Sequence, residues 1–581
     1  MPEFSVWAPR AGRVDLLLPP AVGAVEPRRE GMARREGGWW HADVAAAADT
    51  TYAFSVDGGD PRPDPRGLRL PDGPHGWSQR FDPTSFAWSD HGWRGVPLAE
   101  AVVYELHVGT FTPEGTLDAA AGRLDHLVDL GVTVVEAMPL SPFPGRHGWG
   151  YDGVAPYAVH EEYGGPEALQ RFVDAAHARG LAVCLDVVYN HLGPDGNYLA
   201  DFAPYLTERH HTPWGPALNL DAENSDEVRR WVLDNVRQWL VDFHVDGLRL
   251  DAVHELHDDR GVHVLEEMSA EVDALATETG RTLWLVAESD RNDPRTVTER
   301  GEGDAVAGLG VHAQWADDVH HAMHVALTGE TQGYYSDFAD PSALGKVLRT
   351  PFFHDGTFST FRGRGHGRRV DPRLPGHRFV ASLQTHDQVG NRAQGDRLSA
   401  SLSPGLLVCG AALLLTAPWT PMLFMGEEWG ASTPWQYFTD HTDATLADAV
   451  RSGRRDEFAA HGWDESDVPD PQEPATFERS RLDWSEPDKE PHVRLLRWYR
   501  DLLVLRRTEP ALRDRGGEVA WDSGARTLAV RRGRLEVLVN LAAGPRRFRG
   551  NGAVVLSWDP SVAAADGQVE LPAESAAVLR G

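Results

Sequence analysis

Short strand-like runs occupy both ends of the chain, and glycine- and proline-rich breaks separate those at the N-terminal end. At the N-terminal end they are residues 4–8, 14–18, 39–43 and 51–56. Several strands of this length and spacing are typical of a β-sandwich, so we predict an N-terminal β-sandwich domain over residues 1–92. Similar runs at 527–532 and 535–540 predict a C-terminal β-domain over residues 511–581.

Between these ends, apolar strand-like runs alternate with stretches of helical periodicity, such as 166–179, 225–243 and 492–507. The strand-like runs are residues 102–107, 132–138, 181–188, 247–250, 283–287, 379–383 and 422–425. Repeated βα units form a parallel sheet, and eight of them close a barrel. We therefore predict the α/β class and a (β/α)₈ TIM barrel over residues 93–510. The eighth strand is expected within 305–313, and an irregular excursion after strand three within about 190–220.

Charge and apolar content limit what this chain can bind. Its formal net charge is −31, which disfavours nucleic acid and anionic membrane surfaces as partners. No apolar run approaches the roughly 18 residues of a membrane span, and the first residues lack the features of a secretion signal. We therefore expect a cytoplasmic enzyme. Cys184 and Cys409 lie in apolar runs and are expected to be buried and unpaired.

Polar side chains follow four of the predicted barrel strands, where a barrel of this kind carries its active site. The four segments are residues 186–191, 246–251, 286–288 and 384–387. They bring Asp251, Glu288 and Asp387 to one rim together with Arg249. Convergence from distant parts of the chain is typical of an active site and not of scattered surface charge.

Each of these residues also has a structural interpretation. Asp251 or Glu288 could cap the helix that follows its strand, and His191 or His386 could be a buried structural histidine. Arg249 lies among apolar neighbours and needs a buried anion, for which Asp251 is the nearest candidate. Asp186 is expected to fix either Arg249 or His191. The four segments together favour the active site.

The four segments resemble the signature regions of the α-amylase superfamily of glycoside hydrolases in residue type, order and strand position. The resemblance implies a retaining mechanism in which Asp251 is the nucleophile and Glu288 the acid and base. Asp387, His191 and His386 would bind the sugar ring, and Arg249 would keep Asp251 ionised. Tyr151 would be the platform on which the ring stacks, or else a core tyrosine.

Finer segments divide between two branches of that superfamily. Residues 105–111 and 148–154 are similar to those of α-glucan branching enzymes. Residues 287–294, 314–324, 351–356 and 384–392 resemble the trehalohydrolase branch, although Thr385 replaces the asparagine more usual before His-Asp. The resemblance implies hydrolysis of the α-1,4 bond beside the terminal trehalose unit of malto-oligosyltrehalose, which releases trehalose. A glycogen or α-glucan branching enzyme is the alternative.

The resemblance also implies a malto-oligosyltrehalose synthase as the functional partner that makes the substrate. His254 and Glu255 are candidates for binding the leaving trehalose, or else belong to a solvated first helical turn. Trp214 and residues 315–324 are weaker candidates. Catalysis by a carboxylate pair needs no cofactor and no metal, although Asn190 could ligate a structural calcium and the Asp/His run 317–321 could suggest another metal. A catalytically dead glycan-binding barrel is a further alternative, which the complete set of carboxylates disfavours.

Overall fold

Eight parallel strands close into a barrel in the computed structural model of the chain. They are β1 (Val103–Leu106), β2 (Val134–Ala137), β3 (Ala182–Val187), β4 (Gly247–Leu250), β5 (Trp284–Ala287), β6 (Ala313–Trp315), β7 (Phe379–Ser382) and β8 (Thr420–Phe424). The strands follow one another around the barrel in chain order, and β8 pairs with β1 to close it. The predicted TIM barrel is confirmed.

The structure describes residues 4–20, 25–301, 308–459, 468–550 and 552–581, without the side chains of 456–459. Within these ranges, no helix combines the length and the apolar character needed to cross a membrane.

Strand β6 departs from the prediction that placed it within 305–313. Residues 302–307 lie outside the described residues, and β6 begins only at the last position of the predicted range. Because β6 has three residues, one of them the polar Gln314, it offers no apolar run that a sequence reading could find.

Fifteen α-helices connect or follow the strands in the described part of the chain. They are Val108–Phe111, Leu117–Ala121, Leu124–Leu130, Gly165–His177, Leu199–Phe202, Ser225–Arg237, Val264–Thr279, Asp317–Thr328, Ala343–Val347, His386–Gly390, Leu398–Ser401, Pro404–Leu415, Ala444–Ala459, Pro474–Arg479 and His492–Thr508.

The excursion after β3 contains regular structure that the sequence did not predict. Strands Leu206–Thr212 and Gly215–Leu218 form an antiparallel hairpin with an irregularity between Thr207 and His211. The prediction of an excursion at about 190–220 did not include these strands, because the first is mainly polar and half-buried and the second has only four residues. They therefore show no apolar alternation.

Two antiparallel sheets stand before the barrel and two stand after it. The first pair consists of Phe4–Trp7, Trp39–Ala42 and Ala33–Arg34, and of Arg28–Gly31, Val14–Leu18, Thr51–Val56 and Ser78–Gln79. The second pair consists of Glu518–Asp522, Thr527–Arg532, Leu535–Asn540, Ser575–Arg580 and Ala553–Ser557, and of Arg546–Arg549, Gln568–Leu571 and Ala564–Ala565. The predicted N-terminal sandwich and C-terminal β-domain are confirmed, while the exact limits 1–92, 93–510 and 511–581 stay predictions.

The barrel interior is apolar at its lower end and charged at its upper end. Trp284 and Cys184 belong to the lower core, which Leu98 closes from below. One layer higher, buried Glu105 on β1 lies beside Glu136 on β2, and Asp186 on β3 lies beside Arg249 on β4. Charged groups buried at the carboxyl ends of the strands form the floor of the active site. Both cysteines are free and buried, as expected.

Candidate active site

Arg249 lies at the centre of the site and its side chain has no exposed surface. Its Nη1 donates to Asp186 Oδ2 at 2.8 Å and to Asp251 Oδ1 at 2.8 Å, while Nη2 lies 3.4 Å from Glu288 Oε2. Three carboxylates from β3, β4 and β5 therefore share one guanidinium. Asp186 contacts Arg249 and not His191, which decides between the two partners left open by the sequence.

Asp251 follows β4 directly and is held as a hydrogen-bond acceptor. Besides Arg249, the Nδ2 amide of Asn190 donates to Asp251 Oδ2 at 2.7 Å. Asn190 Oδ1 in turn contacts His191 Nδ1 at 2.5 Å. The Asn190 side chain thus holds the Asp251 and His191 side chains in place, and its role as a calcium ligand stays a prediction.

Glu288 ends β5 within reach of the residue after Asp251. The backbone N–H of Ala252 donates to Glu288 Oε2 at 2.6 Å, and Ala252 adopts a left-handed conformation with φ of 39°. Such a conformation is uncommon for a residue with a Cβ and is found at functional sites. Burial raises the pKa of Glu288 to about 8; Arg249 opposes this shift and the charge of Asp251 adds to it. Glu288 is therefore protonated near neutral pH.

His386 and Asp387 begin the short helix after β7. His386 Nδ1 contacts Glu105 Oε1 at 2.5 Å, and its Nε2 contacts the Tyr151 hydroxyl at 2.8 Å. Burial alone would lower the pKa of His386, but the charges of Glu105 and Asp387 raise it to about 9. The Asp387 side chain is 43% exposed and faces the solvent-filled space above the strands.

Tyr151 and His191 cover two sides of the site. The Tyr151 hydroxyl donates to Asp186 Oδ2 at 2.6 Å, and the Tyr151 ring stacks on His386 with centroids 5.0 Å apart. The His191 ring stacks on Trp214, 4.4 Å away, and burial lowers the pKa of His191. Tyr151 is partly exposed and not a core residue, so a sugar ring can reach it.

An open cavity of about 500 Å³ lies over these groups. Its lining combines aromatic rings with carboxylates: Trp149, Tyr151, Asp152, His191, Trp214, Asp251, Ala252, His254, Glu288, Asp290, Asp317, His386, Asp387, Asn391, Tyr437 and Thr439. Arg249 is not in this lining because it lies beneath it. Flat rings and hydrogen-bonding carboxylates suit a neutral, polyhydroxylated ligand such as a sugar.

The two candidates that follow Asp251 differ in position. His254 lines the cavity, and its Nδ1 accepts a hydrogen bond of 3.3 Å from the backbone of Asp290. Glu255 is not part of the cavity lining in the described structure; its carboxylate lies 3.2 Å from His257 Nε2. His254, three residues after Asp251, therefore faces the cavity, whereas Glu255 lies beside the cavity.

Two acidic residues near the site were named in the sequence only as parts of longer segments. Asp317, within the candidate segment 315–324, follows β6 and lines the cavity, and burial together with the charge of Asp318 raises the pKa of Asp317 to about 7. It was not singled out because β6 was not located; a strand end before Asp317 would have been the signal. Glu105 lies within the segment 105–111, yet nothing in its apolar surroundings distinguished it.

One cluster outside the cavity has the residue types of a metal site. Among the described residues, the grouping of His210, Asp221 and Asp259 could hold a cation. Arg209 already forms ion pairs with both aspartates, at 3.8 Å and 3.0 Å. Protein groups thus balance the charge of this cluster. The run 317–321 does not form such a grouping.

Two family models match the chain. The N-terminal residues 2–83 match carbohydrate-binding module 48, the isoamylase N-terminal domain, and residues 80–214 match the catalytic domain of alpha amylase. The first match covers the N-terminal sandwich, and the second covers β1 to β3 and the excursion as far as residue 214, before the strand Gly215–Leu218.

Individual proteins match the whole chain. A malto-oligosyltrehalose trehalohydrolase of Arthrobacter ramosus is 55% identical, over 100% of this chain and 99% of that one. A crystal structure of a putative alpha amylase from Salmonella typhimurium has a TM-score of 0.89 and 39% identity, over 99% of this chain and 97% of that one. A 1,4-alpha-glucan branching enzyme of Xanthomonas oryzae is only 27% identical, over 75% of this chain and 61% of that enzyme.

Proposed function

The chain belongs to the malto-oligosyltrehalose trehalohydrolases of the α-amylase superfamily, and on that premise we propose how its active site releases trehalose. The substrate is malto-oligosyltrehalose, and the bond cleaved is the α-1,4-glucosidic bond beside the terminal trehalose unit. The observation that carries the hydrolytic chemistry is that the buried guanidinium of Arg249 reaches both Asp251 and Glu288 under an open cavity. The substrate is proposed from the 55% identity to a malto-oligosyltrehalose trehalohydrolase. The distant relation to branching enzymes disfavours the alternative.

In the first step Glu288 gives its carboxyl proton to the glycosidic oxygen. A pKa of about 8 keeps that proton in place at neutral pH. One Asp251 oxygen forms a bond to the anomeric carbon as the bond to the leaving oxygen breaks, so trehalose departs with the proton. Arg249 and Asn190 orient Asp251 for this attack.

In the second step Glu288, now a carboxylate, takes a proton from water. The hydroxide oxygen bonds to the anomeric carbon, and the bond to Asp251 breaks. Two displacements retain the anomeric configuration, and the enzyme returns to its starting protonation. No cofactor is required by this sequence.

The ring at the cleaved bond would be held by Asp387, His386, Tyr151 and His191. Asp387 offers a carboxylate to sugar hydroxyls, and hydrogen bonds that strengthen as the ring distorts stabilise the transition state. Tyr151 offers its ring face as a stacking platform.

The leaving trehalose would contact His254, with Trp214 and the segment 315–324 as further candidates. A site built to hydrogen-bond particular hydroxyls rejects an analogue that lacks them, because buried polar groups then stay unpaired. Glu255 is not proposed for this role, since it lies beside the cavity. A malto-oligosyltrehalose synthase is the proposed functional partner, because an enzyme must first create the terminal α,α-1,1 linkage.

Product analysis tests the proposal. The enzyme is incubated with maltotriosyltrehalose and, separately, with reducing maltopentaose, and the products are separated by chromatography. We expect trehalose from the first and far slower cleavage of the second. New α-1,6 branches on amylose, without trehalose, would overturn the proposal in favour of a branching enzyme.

Two variants test the residue roles in the same assay. Glu288→Gln should lower kcat by on the order of 10² to 10⁴, the range for loss of general acid–base catalysis. Asp251→Ala should lower it by on the order of 10³ or more, since the nucleophile is lost. Glu278→Gln, which removes a surface carboxylate paired with Arg237, is the matched control and should keep full activity. Ordinary turnover in either active-site variant would refute its assigned role.

A further inference from the structure

Glu105 is a buried acid at the floor of the active site that the mechanism above does not use. We propose that Glu105 is a positioning residue that keeps His386 doubly protonated, so that His386 donates to Tyr151 and orients its hydroxyl toward Asp186. The inference rests on the proposed function, because these groups shape the pocket for the sugar ring. It gives Glu105, a residue of the first barrel strand β1, a role in shaping the site.

Both oxygens of Glu105 are used by one residue. Oε1 lies 2.5 Å from His386 Nδ1, and Oε2 accepts a 2.9 Å hydrogen bond from the backbone N–H of His386. Glu105 is 1% exposed and His386 is 1% exposed, so water does not compete for either group. Two hydrogen bonds to one carboxyl group fix both the place and the orientation of the imidazole.

The contacts continue from the far side of the imidazole. His386 Nε2 lies 2.8 Å from the Tyr151 oxygen, and that oxygen lies 2.6 Å from Asp186 Oδ2. Asp186 also accepts from Arg249, which reaches Asp251 and Glu288. An unbroken row of polar contacts therefore joins Glu105 to the reacting carboxylates.

Counting protons fixes the state of this row. The three hydrogen bonds Glu105–His386, His386–Tyr151 and Tyr151–Asp186 each need one proton. A neutral imidazole and a phenol supply two, and two carboxylates supply none. A third proton must therefore reside in the row. The phenol already holds its own proton, and of the remaining acceptors His386 has a pKa of about 9, whereas burial raises the pKa of Asp186 only to about 6. At neutral pH the third proton therefore resides on the imidazole. With both ring nitrogens protonated, His386 donates at both ends and the Tyr151 proton points to Asp186.

The charges around His386 also favour a doubly protonated imidazole ring. Asp387 Oδ1 lies 3.7 Å from His386 Nε2 and favours the cation, as does Glu105, whereas Arg249 opposes it. The balance raises the pKa of His386 to about 9.

Two further titratable groups lie close to the row. His107 is neutral at working pH because burial lowers its pKa to about 3. Glu136 is paired with Glu105 in the strand register, and burial together with the charges of Glu105 and Asp186 raises its pKa to about 8. Below pH 8 neither group adds a full charge beside His386.

A neutral glutamine in place of Glu105 tests the proposal through pH. Glu105→Gln keeps the shape of the side chain but removes the anion, so burial should lower the pKa of His386 below its ordinary value. We expect the ratio of wild-type to variant kcat/KM to be within about threefold at pH 5. Above the lowered pKa the ratio should grow by about tenfold per pH unit until the residual activity of the variant with neutral His386 sets its limit. Because Glu288 titrates in both the wild type and the variant, its contribution to the pH dependence cancels in this ratio.

Glu136→Gln is the matched control, because it makes the same change on the neighbouring strand in a group that is already neutral. Its kcat/KM should follow the wild type between pH 5 and 7.5. Glu105→Asp, which keeps the charge on a shorter side chain, should restore part of the activity at pH 7.5. A loss for Glu105→Gln that is equal at all pH values, or no loss, would overturn the proposal.

A direct measurement needs no variant. A neutron structure of the wild-type enzyme at neutral pD should show deuterium on both ring nitrogens of His386; deuterium on only one would overturn the proposal. Trehalose release by the wild type is measured first with the same preparation. Failure of that assay would instead refute the proposed function, so the two failures can be told apart.

Discussion

Asp251 and Glu288 share one guanidinium, yet their surroundings differ. Asp251 accepts hydrogen bonds from Arg249 Nη1 and from Asn190 Nδ2, which fix the orientation of its carboxyl group. Glu288 lies farther from Arg249 and is surrounded by the carboxylates of Asp251, Asp387 and Asp317, which disfavour a further negative charge. A nucleophile and an acid thus arise from two ordinary carboxyl groups.

The raised pKa of Glu288 predicts the basic limb of the pH–rate profile. Since the proposed acid must hold its proton, kcat/KM should fall as pH rises through about 8. Initial rates of trehalose release between pH 5 and 10 measure this limb. A basic limb near the ordinary carboxyl value would contradict the assignment.

The same shift predicts how Glu288 affects stability. A folded pKa of about 8 against an ordinary 4.5 means that the folded state retains a proton that the unfolded state loses. Stability due to this group is therefore fully present below pH 4.5 and is lost as pH rises through 8. Glu288→Gln should melt close to the wild type at pH 4 and a few degrees higher at pH 8, whereas Glu278→Gln should show no such trend.

At the scale of the element, the position of a strand end could be predicted from the sequence where an apolar run preceded it. The polar groups after β3, β4, β5 and β7 were placed correctly from sequence because each follows buried aliphatic residues. The end of β6 was not, since that strand is three residues long and partly polar. Asp317 was therefore not singled out within the segment 315–324. The hairpin of the excursion could not be predicted either, because its strands lack apolar alternation.

Which residues of the site contact each other was harder to predict from the sequence than where each residue lies in the barrel. The need of Arg249 for a buried anion could be predicted from its apolar neighbours. The Glu105–His386 pair could not, because its members are 281 residues apart and only the closure of β8 against β1 brings their strands near. Local pattern also could not separate His254 from Glu255, whose orientation depends on the tight turn after Ala252.

The helix His386–Gly390 depends on close packing at its last residue. A Cβ at Gly390 would lie 2.1 Å from the Trp149 ring and 3.0 Å from Trp435 Nε1. Trp149 lines the cavity, and Trp435 Nε1 donates to the His386 carbonyl. Gly390→Ala should therefore lower stability by about 1–3 kcal/mol, the usual cost of overpacking, and also lower kcat/KM.

Gly453→Ala is the matched control for this change. Gly453 lies in the helix Ala444–Ala459, and a Cβ there would meet no atom within 4 Å. Alanine in an open helical position should stabilise the protein by about 0.4–1 kcal/mol and leave turnover unchanged. Thermal unfolding and kcat/KM measured on both variants compare the two. If the two variants showed the same change in stability and in kcat/KM, the packing of Gly390 against Trp149 would have no effect on either quantity.

At the scale of the whole molecule, polar contacts join the N-terminal sandwich and the segment after it to the barrel. Arg66 of the sandwich side donates to Asp234 at 2.8 Å, and Trp231 Nε1 donates to the Pro65 carbonyl at 3.0 Å. Farther along, Trp93 Nε1 donates to Asp246 Oδ1 at 2.7 Å, at the lower end of the barrel. In a chain of net charge −31, a cation-to-carboxylate contact such as Arg66–Asp234 reduces the repulsion between acidic parts.

The most buried of these contacts centres on His177, the last residue of the helix Gly165–His177. Its Nδ1 lies 2.8 Å from Asp90 and its Nε2 lies 2.9 Å from Asp246, and its ring stacks on Trp93 at 4.6 Å. Burial opposes a charge on His177, but the two carboxylates raise its pKa above 6.5. Because both ring nitrogens face carboxylates, the folded protein holds His177 as a cation that ties Asp90 of the connecting segment to the barrel.

This arrangement predicts a stability effect with a definite pH window. A raised folded pKa gives stability that is fully present below the unfolded value of 6.5 and is lost as pH rises through the folded value. On the acid side, the pKa of Asp90 is lowered to about 2, so its contribution is lost only as pH falls from 3.8 toward 2. Both contributions are therefore complete between about pH 4 and 6.5.

His177→Gln should remove the cation that Asp90 and Asp246 share, at a cost of up to about 3–5 kcal/mol, because His244 stays beside Asp90 and Arg281 beside Asp246. The melting temperature of the variant should fall below that of the wild type at pH 6, and this difference should narrow as the pH rises through the raised folded pKa of His177. His211→Gln, which breaks an exposed contact with Glu208, should show no such difference at any pH.

Asp90 lies on the segment that connects the N-terminal sandwich to the barrel. A difference in melting temperature that stays constant over the whole pH series would mean that packing, and not the shared charge, attaches that segment to the barrel.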